Sequence, residues 1–184
     1  SSDRAMQDDC AVESQRRWGQ AQSEGRFDGE IIPVSVEERG RTVVCSVDEH
    51  PRPDMTVEQL NELKPAFKKE GTVTAGNASG INDGAALLLM MRAETARSSG
   101  LKPVAYVRGV ASAGVDPRIM GIGPAPAIRA LLKRADLSLD RIGRVELNEA
   151  FAAQCIAVGR ELDLDWERVN VNGGAIAMGH AVGA

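Results

Sequence analysis

The chain has 184 residues, of which 43% are hydrophobic and 26% are charged, a balance typical of a folded globular protein. A net charge of -4 and an aromatic content of 3% argue against nucleic acid as a partner, because phosphates attract cations and unpaired bases stack on aromatic rings. The longest apolar run, residues 85–91, is far shorter than the roughly 20 residues that span a bilayer, so we expect a soluble protein without a membrane partner.

The first 47 residues predict a helix followed by two strands. Apolar side chains recur at near-helical intervals over residues 3–23, which indicates an amphipathic surface helix that stops at Gly25. Residues 30–47 are rich in β-branched side chains and are interrupted by Gly40. This pattern predicts two short strands joined by a turn.

A short helix and a loop of small residues follow. Thr56 and Gln59 have the spacing of a capping box, which predicts the start of a helix, and Pro65 excludes its continuation. Four glycines in residues 71–84, the glycine-rich loop, allow the backbone to approach a ligand or another segment closely. The continuous apolar run 85–91 then predicts a strand that is buried on both faces of a sheet.

The second half of the chain alternates between helices and strands. Helices are predicted at about 92–99, 124–135 and 149–162, and strands at 103–113, 144–147 and 169–171. This alternation predicts a parallel, layered α/β sheet. Residues 173–184 form a second glycine-rich stretch that should open a further helix, so we expect the chain to be cut at this end.

The cysteines and histidines indicate free thiols and no metal site. Cys10, Cys45 and Cys155 are odd in number and too far apart for a Cys-x-x-Cys site, which is typical of a reducing compartment such as the cytoplasm. Organelle targeting stays open. Cys155 falls inside a predicted helix and should be packed and inert. His50 and His180 are too few for a histidine-built metal site, and His50 is interpreted as a loop residue.

Two polar side chains lie just past predicted strands, where catalytic groups and ligands collect in parallel sheets. Asn148 has two interpretations, a site residue or the N-cap of the following helix. His180 is framed by glycines, a poor setting for a packed core, and imidazole can act as a base or a donor near neutral pH. A structural role in the loop is the alternative for His180.

Four separated groups of residues resemble thiolases in content, spacing and order. They are Asn148-Glu-Ala-Phe-Ala-Ala-Gln154 with Asn170-Val-Asn-Gly-Gly-Ala-Ile-Ala-Met-Gly-His180, Gly71-Thr-Val-Thr-Ala-Gly-Asn-Ala-Ser-Gly80, Asp116-Pro-Arg-Ile-Met-Gly-Ile-Gly-Pro124, and Asp48-Glu49 with Arg52 ahead of Leu63-Lys-Pro-Ala-Phe67. The resemblance covers essentially the whole chain. It implies an α/β protein with the thiolase-like layered α-β-α-β-α fold, incomplete in this chain.

The resemblance also implies a division of the chain into three parts. Residues 1–81 would be the latter part of a loop domain that covers CoA. Residues 82–102 would be the closing strand and helix of the N-terminal core half, and residues 103–184 an incomplete C-terminal core half.

The chemistry implied by the resemblance is acyl transfer between CoA thioesters. Thiolases use a cysteine nucleophile and a second cysteine as acid and base, and no motif of this chain contains either. Asn148 is expected to hold a water molecule that, with His180, stabilises a thioester enolate, because fixed donors aimed at developing charge are usually the largest electrostatic contribution. His180 is also expected to activate the nucleophilic thiol.

CoA is implied as a substrate, with no separate cofactor and no metal. Arg52 is expected near the nucleotide end of CoA, although the residues alone indicate only a solvated loop cation. The pantetheine arm and the thioester end are expected to contact small or apolar residues, namely Ala75, Gly76, Ser79, Met120, Ala150 and Phe151. The chain departs from the family at Ala181, where thiolases normally have a proline, which relaxes a constraint on the loop that holds His180.

The most specific function that the resemblance implies is an acetyl-CoA C-acetyltransferase. A 3-ketoacyl-CoA or 3-oxoadipyl-CoA thiolase is the alternative within the family. A non-catalytic CoA-binding module is the alternative from another class, and the intact Asn148 and His180 argue against it. The family is usually dimeric or tetrameric, so a homodimer or homotetramer is expected when complete. The 184 residues alone are expected to be inactive.

Overall fold

A computed structural model describes residues 2–184, and its first helix is also its most central element. Helix α1 (Arg4–Ser23) begins after Asp3, whose carboxylate accepts a hydrogen bond from the N–H of Met6. It packs against three helices from later in the chain. The predicted amphipathic helix is therefore confirmed with one face buried, but four of the seven buried residues are polar and do not follow the apolar pattern. The buried residues of α1 are Gln7, Asp8, Ala11, Ser14, Gln15, Trp18 and Ala21.

The predicted hairpin is confirmed. Strands β1 (Val34–Glu38) and β2 (Arg41–Cys45) pair in antiparallel fashion. The connecting residues Arg39 and Gly40 both have positive φ, +49° and +78°, as the tight turns of two-residue hairpins require. Every residue of both strands is exposed, so the hairpin projects from the described chain.

Two short helices match their sequence signals. Helix α2 (Val57–Asn61) opens with the predicted capping box, in which Thr56 and Gln59 exchange side-chain to backbone hydrogen bonds. Helix α3 (Ala93–Ser98) is followed by Gly100, whose φ of +68° is the left-handed conformation expected after a helix end.

Two predicted strands are not formed, which corrects the sequence interpretation. Residues 85–91 contain no strand, and Leu87, Leu88 and Leu89 are 98%, 82% and 83% exposed. Residues 103–113 also contain no strand and are mostly exposed. A strand buried on both faces needs hydrogen-bonded neighbours and covering helices. Within residues 2–184, no segment pairs with either run.

The helices of the second half are confirmed with one shifted start. Helix α4 (Pro124–Ala135) has proline in its first turn, as predicted. Helix α5 (Ala152–Leu162) begins at residue 152 rather than 149, because the backbone is still extended at Phe151, its N-cap, with φ -146° and ψ 139°. Asn148 is therefore not the N-cap of this helix, and that interpretation is removed.

The predicted strands 144–147 and 169–171 reduce to one parallel bridge between Val145 and Val169. Helix α6 (Ala175–Met178) is the short helix that the glycine-rich stretch opens. Two cores hold these segments together. One consists of Leu147, Cys155, Val158, Leu164 and Val169, and the other of Ala11, Leu60, Ala152 and Ile176. The first core contains Leu147, just before Asn148, and the second contains Ile176 of α6, just before His180.

Candidate active site

Asn148 and His180 are in contact although they lie 32 residues apart in the sequence. The Nδ2 atom of Asn148 is 3.2 Å from Nε2 of His180. In this arrangement the amide nitrogen donates and Nε2 accepts, with the ring proton on Nδ1. A half-turn of the amide presents Oδ1 instead, which accepts from a ring that carries a proton on Nε2. Asn148 is exposed and His180 is half-buried, so a ligand can reach the pair.

The backbone of His180 is docked on the end of the glycine-rich loop. Its N–H donates to the carbonyl of Gly80 at 2.8 Å, and its carbonyl accepts from the N–H of Asn82 at 3.3 Å. These bonds flank a parallel bridge between Ile81 and His180. Gly179 has φ +90°, and a Cβ at this position would overlap the Asn82 side chain. The close approach therefore requires glycine at position 179.

His50 supports the same loop from a second direction. Its Nδ1 lies 2.8 Å from the carbonyl oxygen of Ala177, and because a carbonyl only accepts, Nδ1 carries the proton. The ring also lies against Gly80, where an added Cβ would overlap it. His50 thus fixes the backbone just before His180. The sequence interpretation missed this contact, because a single histidine carries no local signal of a partner 127 residues away.

A buried polar network lies next to the pair. The carboxylate of Glu149 is 5% exposed and accepts hydrogen bonds from Ser14, Asn170 and the backbone of Ile176. Asn170 is also 5% exposed and has a left-handed φ of +46°. No local pattern predicts this network, because Ser14 and Glu149 are 135 residues apart.

Three of the residues expected to line CoA, namely Ser79, Ala150 and Phe151, form one strip beside Asn148 and His180. The N–H of Ser79 donates to the carbonyl of Ala150 at 3.1 Å, and Ala78 forms an antiparallel bridge with Phe151. The rings of Phe67 and Phe151 meet edge to face, with centroids 5.9 Å apart. The glycine-rich loop therefore runs directly alongside the segment that follows Asn148.

Within residues 2–184, the other four expected CoA residues make no hydrogen bond or ring contact with this strip. They are Arg52, Ala75, Gly76 and Met120. Gly76 is buried against α2, where a Cβ would overlap Leu60. Arg52 and Ala75 are exposed, and Met120 is 70% exposed on the 3-10 turn Pro117–Ile122. Their assignment to CoA stays a prediction.

The cysteines have the properties of unreactive thiols where they are buried. Burial raises the pKa of the Cys10 thiol to about 12 and also raises the pKa of the Cys155 thiol. Both thiols are therefore protonated near neutral pH. Cys155 is 1% exposed and faces the carbonyl of Asn148 at 3.8 Å, which confirms that it is packed. Cys45 is exposed on β2.

Residues 2–184 contain no group of three or more His, Cys, Asp or Glu side chains placed to hold a metal ion. None of the helices in this range has the length and apolar character of a membrane span. A cavity of about 320 Å³ lies between α1 and α5 and is lined in part by Glu149, but neither Asn148 nor His180 lines it.

Two family models match consecutive parts of this chain. The thiolase N-terminal domain matches residues 1–94, and the thiolase C-terminal domain matches residues 101–184. The chain belongs to the thiolase family. Asn148 and His180 fall in the C-terminal match, whereas Gly80 and Asn82, which hold the backbone of His180, fall in the N-terminal match. The candidate site of this thiolase chain therefore lies where the two matched domains meet.

Curated thiolase relatives are more than half identical to this chain. The acetyl-CoA acetyltransferase of Escherichia coli (strain K12) is 54% identical over 181 residues, which are 98% of this chain and 46% of that protein. The beta-ketoadipyl-CoA thiolase of Pseudomonas aeruginosa is 56% identical over 182 residues, which are 98% of this chain and 45% of that protein. The chain thus spans just under half the length of these thiolases.

Solved thiolase structures are also similar to this chain, and the chain again covers just under half of each. The Bacillus anthracis acetyl-CoA acetyltransferase has a TM-score of 0.94 at 54% identity, over 96% of this chain and 45% of that one. The human mitochondrial 3-ketoacyl-CoA thiolase has a TM-score of 0.90 at 47% identity, over 99% of this chain and 46% of that one. The described residues have the α/β thiolase fold, of which they comprise just under half.

Proposed function

We propose that this chain forms the CoA-covering and enolate-stabilising part of an acetyl-CoA C-acetyltransferase, an enzyme that transfers acyl groups between CoA thioesters. The observation that carries the proposal is the 3.2 Å contact between Asn148 and His180 in a chain of the thiolase family. Both side chains are accessible, and hydrogen bonds from distant segments fix the backbone on which each is carried. Pre-oriented donors of this kind stabilise negative charge without rearrangement.

The role of the pair follows from its hydrogen-bonding capacity. The second cysteine of the implied thiolase mechanism, which no motif of this chain contains, would take a proton from C2 of a thioester as its thiolate, and this places negative charge on the thioester oxygen. The amide of Asn148, through a water molecule, and the ring of His180 would donate to that oxygen. The enolate carbon then attacks the carbonyl carbon of an acyl-cysteine, a C–C bond forms, and the cysteine leaves as a thiolate.

The neutral ring of His180 would also act as a base before this step. It takes the proton of the nucleophilic cysteine, which is none of Cys10, Cys45 and Cys155 in this proposal. The cysteine thiolate attacks the carbonyl carbon of an acyl-CoA, and the bond between that carbon and the CoA sulfur breaks. The CoA thiolate then takes up the proton from the imidazolium ring.

CoA is the proposed substrate, bound along the strip formed by Ser79, Ala150 and Phe151. A human mitochondrial 3-ketoacyl-CoA thiolase solved in complex with CoA is 47% identical to this chain over 99% of its length, with a TM-score of 0.88. This likeness supports a CoA site on the fold. The proposal extends to Ala75, Gly76 and Met120 along the arm and to Arg52 near the nucleotide.

A 3-ketoacyl-CoA or 3-oxoadipyl-CoA thiolase is the second candidate. The beta-ketoadipyl-CoA thiolase is 56% identical to this chain and the acetyl-CoA acetyltransferase 54%, a difference too small to favour either substrate. A non-catalytic CoA-binding module is disfavoured, because a protein that only binds CoA has no use for an accessible pair of enolate donors.

Thiolysis of three substrates by the whole gene product that contains this chain tests the proposal. Acetoacetyl-CoA is expected to have the highest kcat/KM, ahead of 3-oxoadipyl-CoA and a long 3-ketoacyl-CoA. A preference for either of the latter two would favour the second candidate. CoA binding without cleavage of any of the three would favour the non-catalytic module.

The whole protein is further proposed to be a cytoplasmic homodimer or homotetramer. Free cysteines support a reducing compartment, and one relative is mitochondrial. The proposed three-part division is 1–81, 82–102 and 103–184. The two family matches end at residue 94 and begin at residue 101, which supports a boundary near residue 102. Sedimentation of the whole gene product measures the assembly.

A further inference from the structure

A buried carboxylate lies one residue from Asn148. Glu149 is 5% exposed, and an ionised carboxylate is rarely buried unless it is paired or fully hydrogen-bonded. Within residues 2–184 it forms no ion pair. Three neutral donors satisfy it instead, the hydroxyl of Ser14 at 2.6 Å, Nδ2 of Asn170 at 2.9 Å and the N–H of Ile176 at 3.0 Å. Three segments of the chain therefore meet at one side chain.

On one side, this network holds the backbone that carries Asn148. Oε1 of Glu149 accepts from Nδ2 of Asn170. The same Asn170 side chain accepts from the N–H of Leu147 at 2.7 Å and donates to the carbonyl of Leu147 at 2.8 Å. Both backbone groups of the residue before Asn148, and the side chain of the residue after it, are thus engaged.

On the other side, the network holds the segment that leads to His180. Oε2 of Glu149 accepts from the N–H of Ile176 in α6 and from Ser14 in α1. The Ser14 hydroxyl oxygen in turn accepts from the N–H of Gly174 at 3.0 Å. A Cβ at Gly174 would overlap the carboxylate, so the loop passes as close to Glu149 as the backbone allows.

We propose that Glu149 is a positioning residue for the thiolase reaction, whose carboxylate sets the separation of Asn148 and His180 without touching the substrate. This inference rests on the proposed function. A carboxylate is needed because each of its oxygens accepts from a different segment. Glutamine has the same shape but only one acceptor oxygen, so Glu149→Gln leaves at least one buried donor facing an amide N–H. The segments must then move apart.

The test is Glu149→Gln in the whole gene product, with acetoacetyl-CoA and CoA as substrates. The kcat is expected to fall about tenfold to hundredfold, the cost of misplacing catalytic groups by about 1 Å. The KM for CoA should stay within about twofold of wild type, because no CoA contact is removed. Glu146→Gln is the matched control. It is the same chemical change three residues away, at a side chain that is exposed. Glu149→Asp is a second variant that keeps the charge but shortens the reach.

A readout besides activity separates this inference from the proposed function. The ring C–H resonance of His180, assigned by its loss in His180→Asn, should shift in Glu149→Gln and stay in place in Glu146→Gln, whether or not the protein turns over. A wild-type protein without thiolysis would therefore count against the proposed function alone. An unshifted resonance, or a kcat per folded molecule within about twofold of wild type in both Glu149 variants, would overturn the positioning role. Failure of both variants to fold would overturn it as well, because the carboxylate would then serve the fold as a whole.

Discussion

Two segments of this thiolase chain reverse the usual relation between polarity and burial. The polar anchor consists of four residues of α1 that are 0–4% exposed, namely Gln7, Asp8, Ser14 and Gln15. The apolar strip consists of residues 85–91, whose three leucines are 82–98% exposed. Each side chain of the polar anchor has at least one hydrogen-bond partner, and among the described residues only Oε1 of Gln7 in this group lacks one. The apolar strip has no strand partner within residues 2–184. Burial here follows the availability of partners and not the polarity of a segment.

The comparison also explains why the candidate site is well formed. The polar anchor reaches both sides of the site, because Asp8 accepts a hydrogen bond from Asn77 at 2.8 Å in the glycine-rich loop. Gln15 donates to the carbonyl of Ile176 at 3.3 Å in α6. Residues 80–82 of the loop contact the backbone of His180, and the apolar strip begins three residues later, at residue 85. The exposure of the apolar strip therefore does not affect the contact between Asn148 and His180.

The largest effect is expected for the 184 residues on their own, which should have no measurable thiolysis. Thiolysis needs a thiolate nucleophile, and neither the polar anchor nor the apolar strip contains a cysteine. Burial raises the pKa of the Cys10 and Cys155 thiols, so both are protonated near neutral pH. The measurement is cleavage of acetoacetyl-CoA by the purified chain. Turnover would contradict the prediction and direct attention to Cys155, whose thiol lies 3.8 Å from the carbonyl oxygen of Asn148.

His180→Asn in the whole gene product should lower turnover at least about a hundredfold, since a base and an oxyanion donor are lost together. These losses do not multiply, because one side chain serves both roles. CoA affinity should change much less. His50→Asn is the comparison variant and should lower the melting temperature and reduce turnover less than His180→Asn does, because His50 supports only the backbone before His180. A His180→Asn protein with a normal melting temperature and more than about a tenth of wild-type turnover would rule out the catalytic role.

Asp8→Ala tests the polar anchor directly. The change removes the acceptor of Arg4 Nε and one of the two acceptors of Asn77 Nδ2, while Arg4 keeps its bonds to the carbonyls of Leu60 and Leu63. Because Arg4 is 24% exposed, the cost should lie at or below the lower end of the range for a broken buried charged pair, about 3 kcal/mol of the free energy of unfolding. Asp9→Ala is the matched control, because Asp9 is exposed on the same helix and should change stability by less than about 0.5 kcal/mol. Equal effects in urea unfolding would show that burial of Asp8 does not matter.

Ser79→Trp tests whether the glycine-rich loop lines the CoA arm. A bulky side chain on the strip beside Ala150 should raise the KM for CoA about tenfold, the effect of losing a few favourable contacts with the substrate. Ser79→Ala removes only the hydroxyl and should leave KM close to wild type. An unchanged KM in the tryptophan variant would remove the loop from the CoA site.

The smallest effect is expected in the apolar strip. Leu88 is 82% exposed, so Leu88→Ser should change the stability of the 184-residue chain by less than about 0.5 kcal/mol. Leu60 is 1% exposed, and Leu60→Ser should cost about 2–5 kcal/mol, the range for large-to-small changes in a core. A large loss of stability in the Leu88 variant would mean that the apolar strip is buried after all.

Signals that are local in the sequence predicted the structure well. The hairpin turn at Gly40 and the capping box at Thr56 depend on residues within a few positions of each other, and both are formed. The joint role of Asn148 and His180 is implied by the resemblance to thiolases, whereas their positions past predicted strands make each of them only a candidate site residue. The parallel bridge between the two preceding segments is present, although full strands are not.

Signals that depend on distant partners were misread or missed. The apolar periodicity of α1 does not identify the four polar residues of its buried face, because no local pattern reveals that polar residues find donors and acceptors more than 60 residues away. The apolar strip was read as a buried strand, because its composition carries no record of which neighbours it requires. His50 and Glu149 were missed as supports of the site for the same reason.

The length of the loops closed by α1 bears on how the chain folds during synthesis. The bond from Ser14 to Glu149 spans 135 residues, and that from Gln15 to Ile176 spans 161. At a translation rate of about 5–20 residues per second, α1 leaves the ribosome roughly seven to thirty seconds before these partners exist. An apolar inner face would attract other nascent chains over that interval, whereas a polar one stays hydrated. The polar anchor therefore allows α1 to remain in water until its partners emerge.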